Sequence, residues 1–299
     1  MAASAKAKRK EQSATELAGK QLVMRDTIAR FTRNKPAMVG GALMLILIVI
    51  VVFAPLFTSF DPSVQNYRAV FSLPNSTNIM GTDQYGRDIW ARLLYGGRIS
   101  LMVSLSTVVF STIIGAGLGA IAAYFGGILD LIITRFLDII MAIPNLLLAV
   151  AIAAAFGTGP FYTVLALTFS TLPGRMRIMR ATVMSVKSND FIEAAQATGS
   201  TDARIIVKHV LPNTVAPLIV NTTLALGTNI LAISGLSFIG LGVLPPTPEW
   251  GSILNAGRPY LRDFWPIILF PSIFIFLTVF AINLLGDGLR DALDPRLRD

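Results

Sequence analysis

The chain has 299 residues, of which 54% are hydrophobic and 14% charged, and its 25 Lys and Arg against 17 Asp and Glu leave a formal net charge of +8. A soluble domain of ordinary composition is about 25% charged. Here Asp, Glu, Lys and Arg are missing altogether from 37–60, 99–129, 139–174, 209–248 and 264–286, which excludes a soluble core whose helices keep a wet, charged face. Cysteine is absent and His209 is the single histidine, so neither a disulfide frame nor a metal site is expected.

Residues 1–36 form a basic tail whose first part is Ala/Lys-rich and reads as disordered. Within it, 17–33 has weak helical character, with Leu17, Ile28 and Phe31 placed to lie on a membrane surface. A run of about 20 apolar residues crosses a bilayer core of about 30 Å. The first such run, 37–57, is too long for a signal-peptide core and reads as a retained anchor helix. A polar loop follows over 58–97, ending in MGTDQYGRDIWARLLYGGR, whose second half is helical in character.

Residues 98–286 form the predicted membrane core. Its first span is 99–123, where Gly115, Gly117 and Gly119 stand beside Ala116 and Ala120, a pattern that lets helices approach closely in lipid. After the YFGG turn comes a span at 129–156. It holds Pro144 and, in its first half, Asp130, Arg135 and Asp138, which read as an ion-pair set inside the protein. GTGP at 157–160 is a turn. The next span, 161–184, turns basic at Arg175, Arg177 and Arg180. Residues 185–212 form a polar loop, 214–236 a span, 237–263 a second loop with PPTPEWG, and 265–285 the last span, before a tail at 287–299. With both termini in the cytoplasm, 19 Lys and Arg fall inside and 6 outside, which the positive-inside rule favours. The same rule accounts for the net charge without a nucleic-acid partner.

The loop NDFIEAAQATGSTDARIIVKHVLPN (189–213) reads as two short helices about a glycine. Asp190 and Glu193 have capping-box spacing, Gly199 suits a left-handed helix end, and Ser200 or Thr201 suits the second cap. Ala194, Ala195 and Ala197 give a low-relief surface for another protein; a plain linker between spans explains the same residues. In GTDQYGRD (81–88), Arg87 and Asp88 read as stabilising the outer loop, with substrate contact as the rarer alternative. In PPTPEWG, Glu249 and Trp250 read either as a rigid turn with an interfacial Trp or as an outer gate or docking surface. Neither a phosphate-binding loop nor a catalytic constellation is recognisable, so the chain is not expected to be an enzyme.

The segment Glu193-Ala194-Ala195, then Gly199, then Leu211-Pro212 resembles the cytoplasmic-loop signature of permeases of binding-protein-dependent ABC importers. His209 replaces the usual aliphatic residue, as in the peptide branch. The segments at 33–62, 81–101, 245–251 and 283–299 are also similar to the C-type permease of dipeptide and oligopeptide importers. The resemblance implies an all-α membrane fold with six transmembrane helices, of the type I importer class, providing half of a translocation pathway. It implies a homologous second permease, two ATPase subunits that bind ATP and Mg, and an extracytoplasmic peptide-binding protein, with no cofactor in this chain. It assigns Glu193, Ala194, Ala195, Gly199, His209, Leu211 and Pro212 to coupling with the ATPases. Nickel or glutathione cargo is the alternative within the family. An ion-gradient-driven transporter is the alternative outside it, disfavoured by the charge-free spans.

Overall fold

A computed structural model describes residues 24–293. The expectations placed on 1–23, including Leu17, and on the tail beyond 293 lie outside the described residues. The described residues are helical apart from turns, loops and one isolated antiparallel bridge between Thr82 and Asp88. Helix α1 covers 24–33. Asn34 then caps α2 (Lys35–Val52), its Oδ1 accepting from Ala37 N–H at 3.1 Å. The first predicted span is broken at Phe53 and continues as the short α3 (Ala54–Phe57), with Pro55 in its first turn.

Helix α4 (Ile89–Phe125) is longer than the 99–123 span expected of it. The residues WARLLYGGR belong to this helix and not to the preceding loop. At 1.5 Å per residue α4 is roughly 55 Å long, well beyond a hydrocarbon core of about 30 Å. The predicted span 129–156 is not one helix. It is α5 (Gly127–Met141) and α6 (Asn145–Phe156), bent by 85° at the break. Pro144 explains the break: it has no N–H to give and drives Ile143 out of helical geometry.

Helix α7 (Pro160–Lys187) follows, then α8 (Asp190–Ala197) and α9 (Asp202–Ile205). A π-helical turn, Ile206–Val210, leads without interruption into α10 (Leu211–Phe238). Helix α11 (Trp250–Gly257) lies in the second loop, and α12 (Pro266–Leu293) ends the described chain.

Four helical stretches among the described residues are long and apolar enough to cross a membrane: α2, α4, α9 through α10, and α12; the bent α5–α6 pair makes a fifth. Helix α7 fails that test because of its arginines. It nevertheless makes the most extensive helix contact among the described residues, with α4. Gly115 of α4 meets Leu172, Arg175 and Met176, and Gly119 meets Met176, Met179 and Arg180, so the two helices run in the same direction with their backbones close. Helices α2 and α12 run oppositely, Gly40 against Leu284 and Gly288 against Ala37. Helix α10 likewise opposes α12, through Gly227 on Ile282 and Gly286 on Leu224.

Candidate functional site: the coupling loop and the outer knot

The loop between α7 and α10 is built against one end of the bundle. Ile192 and Ala195 of α8 are buried with Val183 and Val186 of α7, Ala120, Ala123 and Tyr124 of α4, and Ile205 and Val210 beyond the turn. The Tyr124 hydroxyl donates to Asp202 Oδ1 at 2.7 Å. Lys187 Nζ donates to the Tyr124 carbonyl at 2.6 Å and lies 5.6 Å from the centre of its ring. Tyr124 therefore ties the ends of α4 and α7 to α9.

The turn between α8 and α9 is fixed by its backbone. Ser200 N–H bonds to Ala195 O at 3.1 Å and Gly199 N–H to Gln196 O at 2.9 Å, the paired closure of a Schellman motif. Gly199 sits at φ +74°, where an L side chain is strained even though the space around its Cα is open. The capping expectations need correction. The residue before α8 is Asn189, which turns its side-chain amide back to Ser185 O and Val186 O, while Asp190 and Glu193 fall in the first turn. Thr201 precedes α9 without a side-chain cap bond. Ala195 is also not on the presented surface, because it packs inward. The exposed face carries Phe191, Glu193, Ala194, Ala197, Asp202, Ala203 and Val207.

His209, Leu211 and Pro212 lie away from that turn, at the entry to α10. Leu211 N–H bonds to Ile206 O, five residues back, which defines the π turn. Pro212 supplies the physical cause. Its ring cannot pack against the carbonyl of Lys208 in a regular helix, and widening the turn by one residue relieves the clash. The His209 carbonyl is taken by Asn213 Nδ2 at 2.6 Å. The second loop helix is thus continuous with a membrane helix and tied to Tyr124, whereas the first is held by the packing of Ile192 and Ala195.

At the opposite end of the bundle, Arg87, Asp88, Glu249 and Trp250 are all buried. Asp83, which sequence reasoning passed over, is the centre of this region. Its Oδ1 accepts from Tyr85 N–H and Arg87 N–H, and its Oδ2 from Arg87 Nε at 2.7 Å, with Arg92 Nε 3.5 Å away. Asp88 caps α4 through Ala91 N–H and accepts from Asn78 Nδ2. Glu249 accepts from the Ser100 hydroxyl and caps α11 through Ser252 N–H, both at 2.9 Å. Trp250 is 0% exposed, so the interfacial-Trp expectation is corrected. Its ring lies against Gly97 and near Phe274, and its Nε1 donates to Leu93 O at 2.9 Å. The Asp-x-x-x-Arg spacing of Asp83 and Arg87 was the available signal.

The ion pairs expected near Asp130 exist, but they cross to α7 and do not involve Arg135. Arg180 grips Asp130 with two bonds of 2.6 Å, and Arg177 meets Asp138 at 2.8 Å.

Comparison with known proteins agrees with this architecture. Residues 115–299 match the family described as binding-protein-dependent transport system inner membrane component, and 23–74 match the N-terminal transmembrane domain of oligopeptide transport permease C. A putative peptide transport system permease protein of Brucella abortus is 42% identical over 272 residues, covering 91% of this chain and 92% of that protein. The di/tripeptide transport system permease protein DppC of Pseudomonas aeruginosa is 42% identical over 275 residues, covering 90% and 91%. The glutathione transport system permease protein GsiD of Escherichia coli O6:K15:H31 is 39% identical over 272 residues, covering 90% and 89%. Among solved structures, an inward-facing MetNI methionine ABC transporter gives a TM-score of 0.57 at 20% identity, covering 68% of this chain and 96% of that chain, which speaks for a shared fold. The chain therefore belongs to the binding-protein-dependent transport system inner membrane component family, and it is a permease subunit of an ABC importer.

Proposed function

We propose that this permease imports dipeptides and short oligopeptides, driven by ATP hydrolysis on partner subunits. It forms half of a pathway completed by a homologous permease, receives cargo from an extracytoplasmic binding protein, and docks two ATPases through the α8–α9 loop. Both termini and that loop lie in the cytoplasm. The observation that carries the coupling role is the construction of the loop. Helix α8 has eight residues, too few to persist alone in water, yet it is pinned to α4 and α7 while Phe191, Glu193 and Ala194 face outward. A preformed element with one open face is what force transmission between subunits requires.

Relatives named for peptides and for glutathione both match over nine-tenths of the chain. Glutathione is itself a peptide-like molecule, so it forms the second reading of the cargo. Calorimetry on the cognate binding protein with dipeptides, pentapeptides and glutathione separates the two. Glu193→Lys in the reconstituted importer is expected to abolish uptake and stimulated ATPase activity while leaving membrane insertion intact; normal values of both would reduce the loop to a linker. Orientation is tested in the cysteine-free chain. Ser76→Cys should react with an impermeant reagent from outside and Thr198→Cys only after permeabilisation, both positions being exposed. The reverse pattern overturns the assignment.

A further inference from the structure

Helix α1 (24–33) carries Met24, Ile28 and Phe31 at helical spacing, so they form one apolar stripe. Phe31 covers Gly288 of α12, its Cε2 lying 3.5 Å from where a Cβ would stand on that glycine. Farther out on the stripe, Met24 and Ile28 are 61% and 55% exposed. Arg25 and Arg33 on α1, and Lys35 just beyond it, are exposed too. Over 1–36, nine Lys and Arg stand against three acids, and within 24–36 the one acid is Asp26. The helix thus presents an open apolar stripe in a strongly positive setting.

The neighbours of α1 fix where it stands. Asn34 alone separates it from α2. With φ −77° and ψ 98°, Asn34 is extended, so the two helices do not run on as one. Its N–H closes α1 on Arg30 O and Phe31 O, its Oδ1 caps α2, and its Nδ2 donates to Asp291 Oδ2 of α12 at 3.2 Å. Helix α1 is therefore tied to the mouth of α2. The charge-free run of α2 begins at 37, that of α12 stops at 286, and Ala37 lies against Gly288. Two apolar helices long enough to cross a membrane become charged at the same level, which is where hydrocarbon gives way to headgroups. Asp287 and Asp291 of α12 are acids at this level beside Arg290, and Asp291 already receives Asn34, so the positive excess remains.

We propose that α1 is an interfacial helix that binds anionic lipid, with Met24 and Ile28 entering the acyl boundary while Arg25, Arg33 and Lys35 meet headgroup phosphates. A short amphipathic helix in the interface gains from buried apolar area and from attraction to anionic lipid together. An acidic face of a partner subunit is the competing occupant; the level of α1, at the shared end of two spans, favours lipid. The proposal depends neither on the cargo nor on the side of the membrane that holds the termini.

The test places a small apolar fluorophore on Ile28→Cys, the sole cysteine in that variant, in the complete importer in lipid nanodiscs. The probes are phosphatidylglycerol and phosphatidylcholine, each with a nitroxide near the top of an acyl chain. At equal mole fraction, phosphatidylglycerol should quench about fivefold more strongly, the scale of one basic side chain near an anionic surface. Adding Arg25→Gln, Arg33→Gln and Lys35→Gln together should bring the ratio near one, whereas Arg25→Lys with Arg33→Lys should preserve it. Raising salt to about 0.5 M should lower the ratio in the otherwise unsubstituted chain, without any risk to folding. Equal quenching by the two lipids, or a ratio indifferent to salt, overturns the proposal. Absence of quenching by either lipid would mean that protein covers the stripe, and overturns it as well.

Discussion

The two ends of the bundle are held together in opposite ways. At the outer knot, the buried charged groups engage one another and the backbone: Asp83 serves Tyr85, Arg87 and Arg92, and Glu249 joins α4 to α11. At the coupling loop, a few apolar side chains and one tyrosine hold short helices whose other face is open. Removing a partner from the knot leaves a desolvated charge behind, whereas removing a contact from the loop leaves groups that water can reach. The difference teaches that one end is held by buried charge around Asp83 and Glu249, and the other by apolar packing with one face left open.

That contrast can be broken by substitution. The largest effect is expected for Asp83→Ala, which strands two buried arginines; about 3–5 kcal/mol of stability should be lost, visible as failed folding or a large fall in Tm of the purified importer. Trp250→Ala comes next. It empties a buried ring site and removes the Nε1 bond to the Leu93 carbonyl, with a loss of about 3–5 kcal/mol, read from the same melts. A small change in both would mean that the outer knot does not hold that end. Gly199→Val should cost roughly 1–2 kcal/mol locally from its left-handed φ, with little change in Tm but loss of coupled uptake. Because nothing crowds that Cα within the chain, Gly199→Ala carries the strain without bulk. An unaffected Ala variant beside a dead Val variant would place the defect in contact with the ATPase. Tyr124→Phe should be mildest, about 1 kcal/mol for one partly exposed hydrogen bond. It should speed amide hydrogen exchange in α8 and α9 while the exchange of α11 stays unchanged. Equal acceleration at both ends would deny the independence of the two regions.

Pro212→Ala sharpens the comparison from another side. It returns an N–H to the start of α10 and removes the clash that widens the π turn. The membrane helix should be no less stable, yet ATP hydrolysed per peptide imported should rise, because α9 would rotate relative to α8. Unchanged coupling would show that the π turn is incidental to transmission.

Much of this was legible beforehand. Charge-free runs located α2, α4, α10 and α12 because hydrocarbon excludes charge from any surface it touches. Gly199 was readable because few residues tolerate a left-handed turn, and the Glu193 to Pro212 spacing carried the family resemblance. Other features were hidden for physical reasons. Hydropathy cannot see which way an arginine points. The span expected at 161–184 turns basic at Arg177 and Arg180, and the sequence did not show that both find aspartates on α5 while the helix packs along α4. Pro144 was visible, but the size of the bend depended on what α5 and α6 pack against. Trp250 read as an interfacial residue of a rigid turn or as part of an outer gate or docking surface, since an aromatic near a loop is compatible with either surface or core.

The sequence by itself determined the charge-free runs that become the apolar helices and the left-handed turn at Gly199. These follow from local composition and backbone preference. Only the tertiary structure decided which charges are paired and which are left over. That choice put Asp83 at the centre of a buried knot, Tyr124 at the joint between membrane helices and the α8–α9 loop, and Arg177 and Arg180 against the aspartates of α5. Pairing depends on distances between residues far apart in the chain, and no local pattern encodes them.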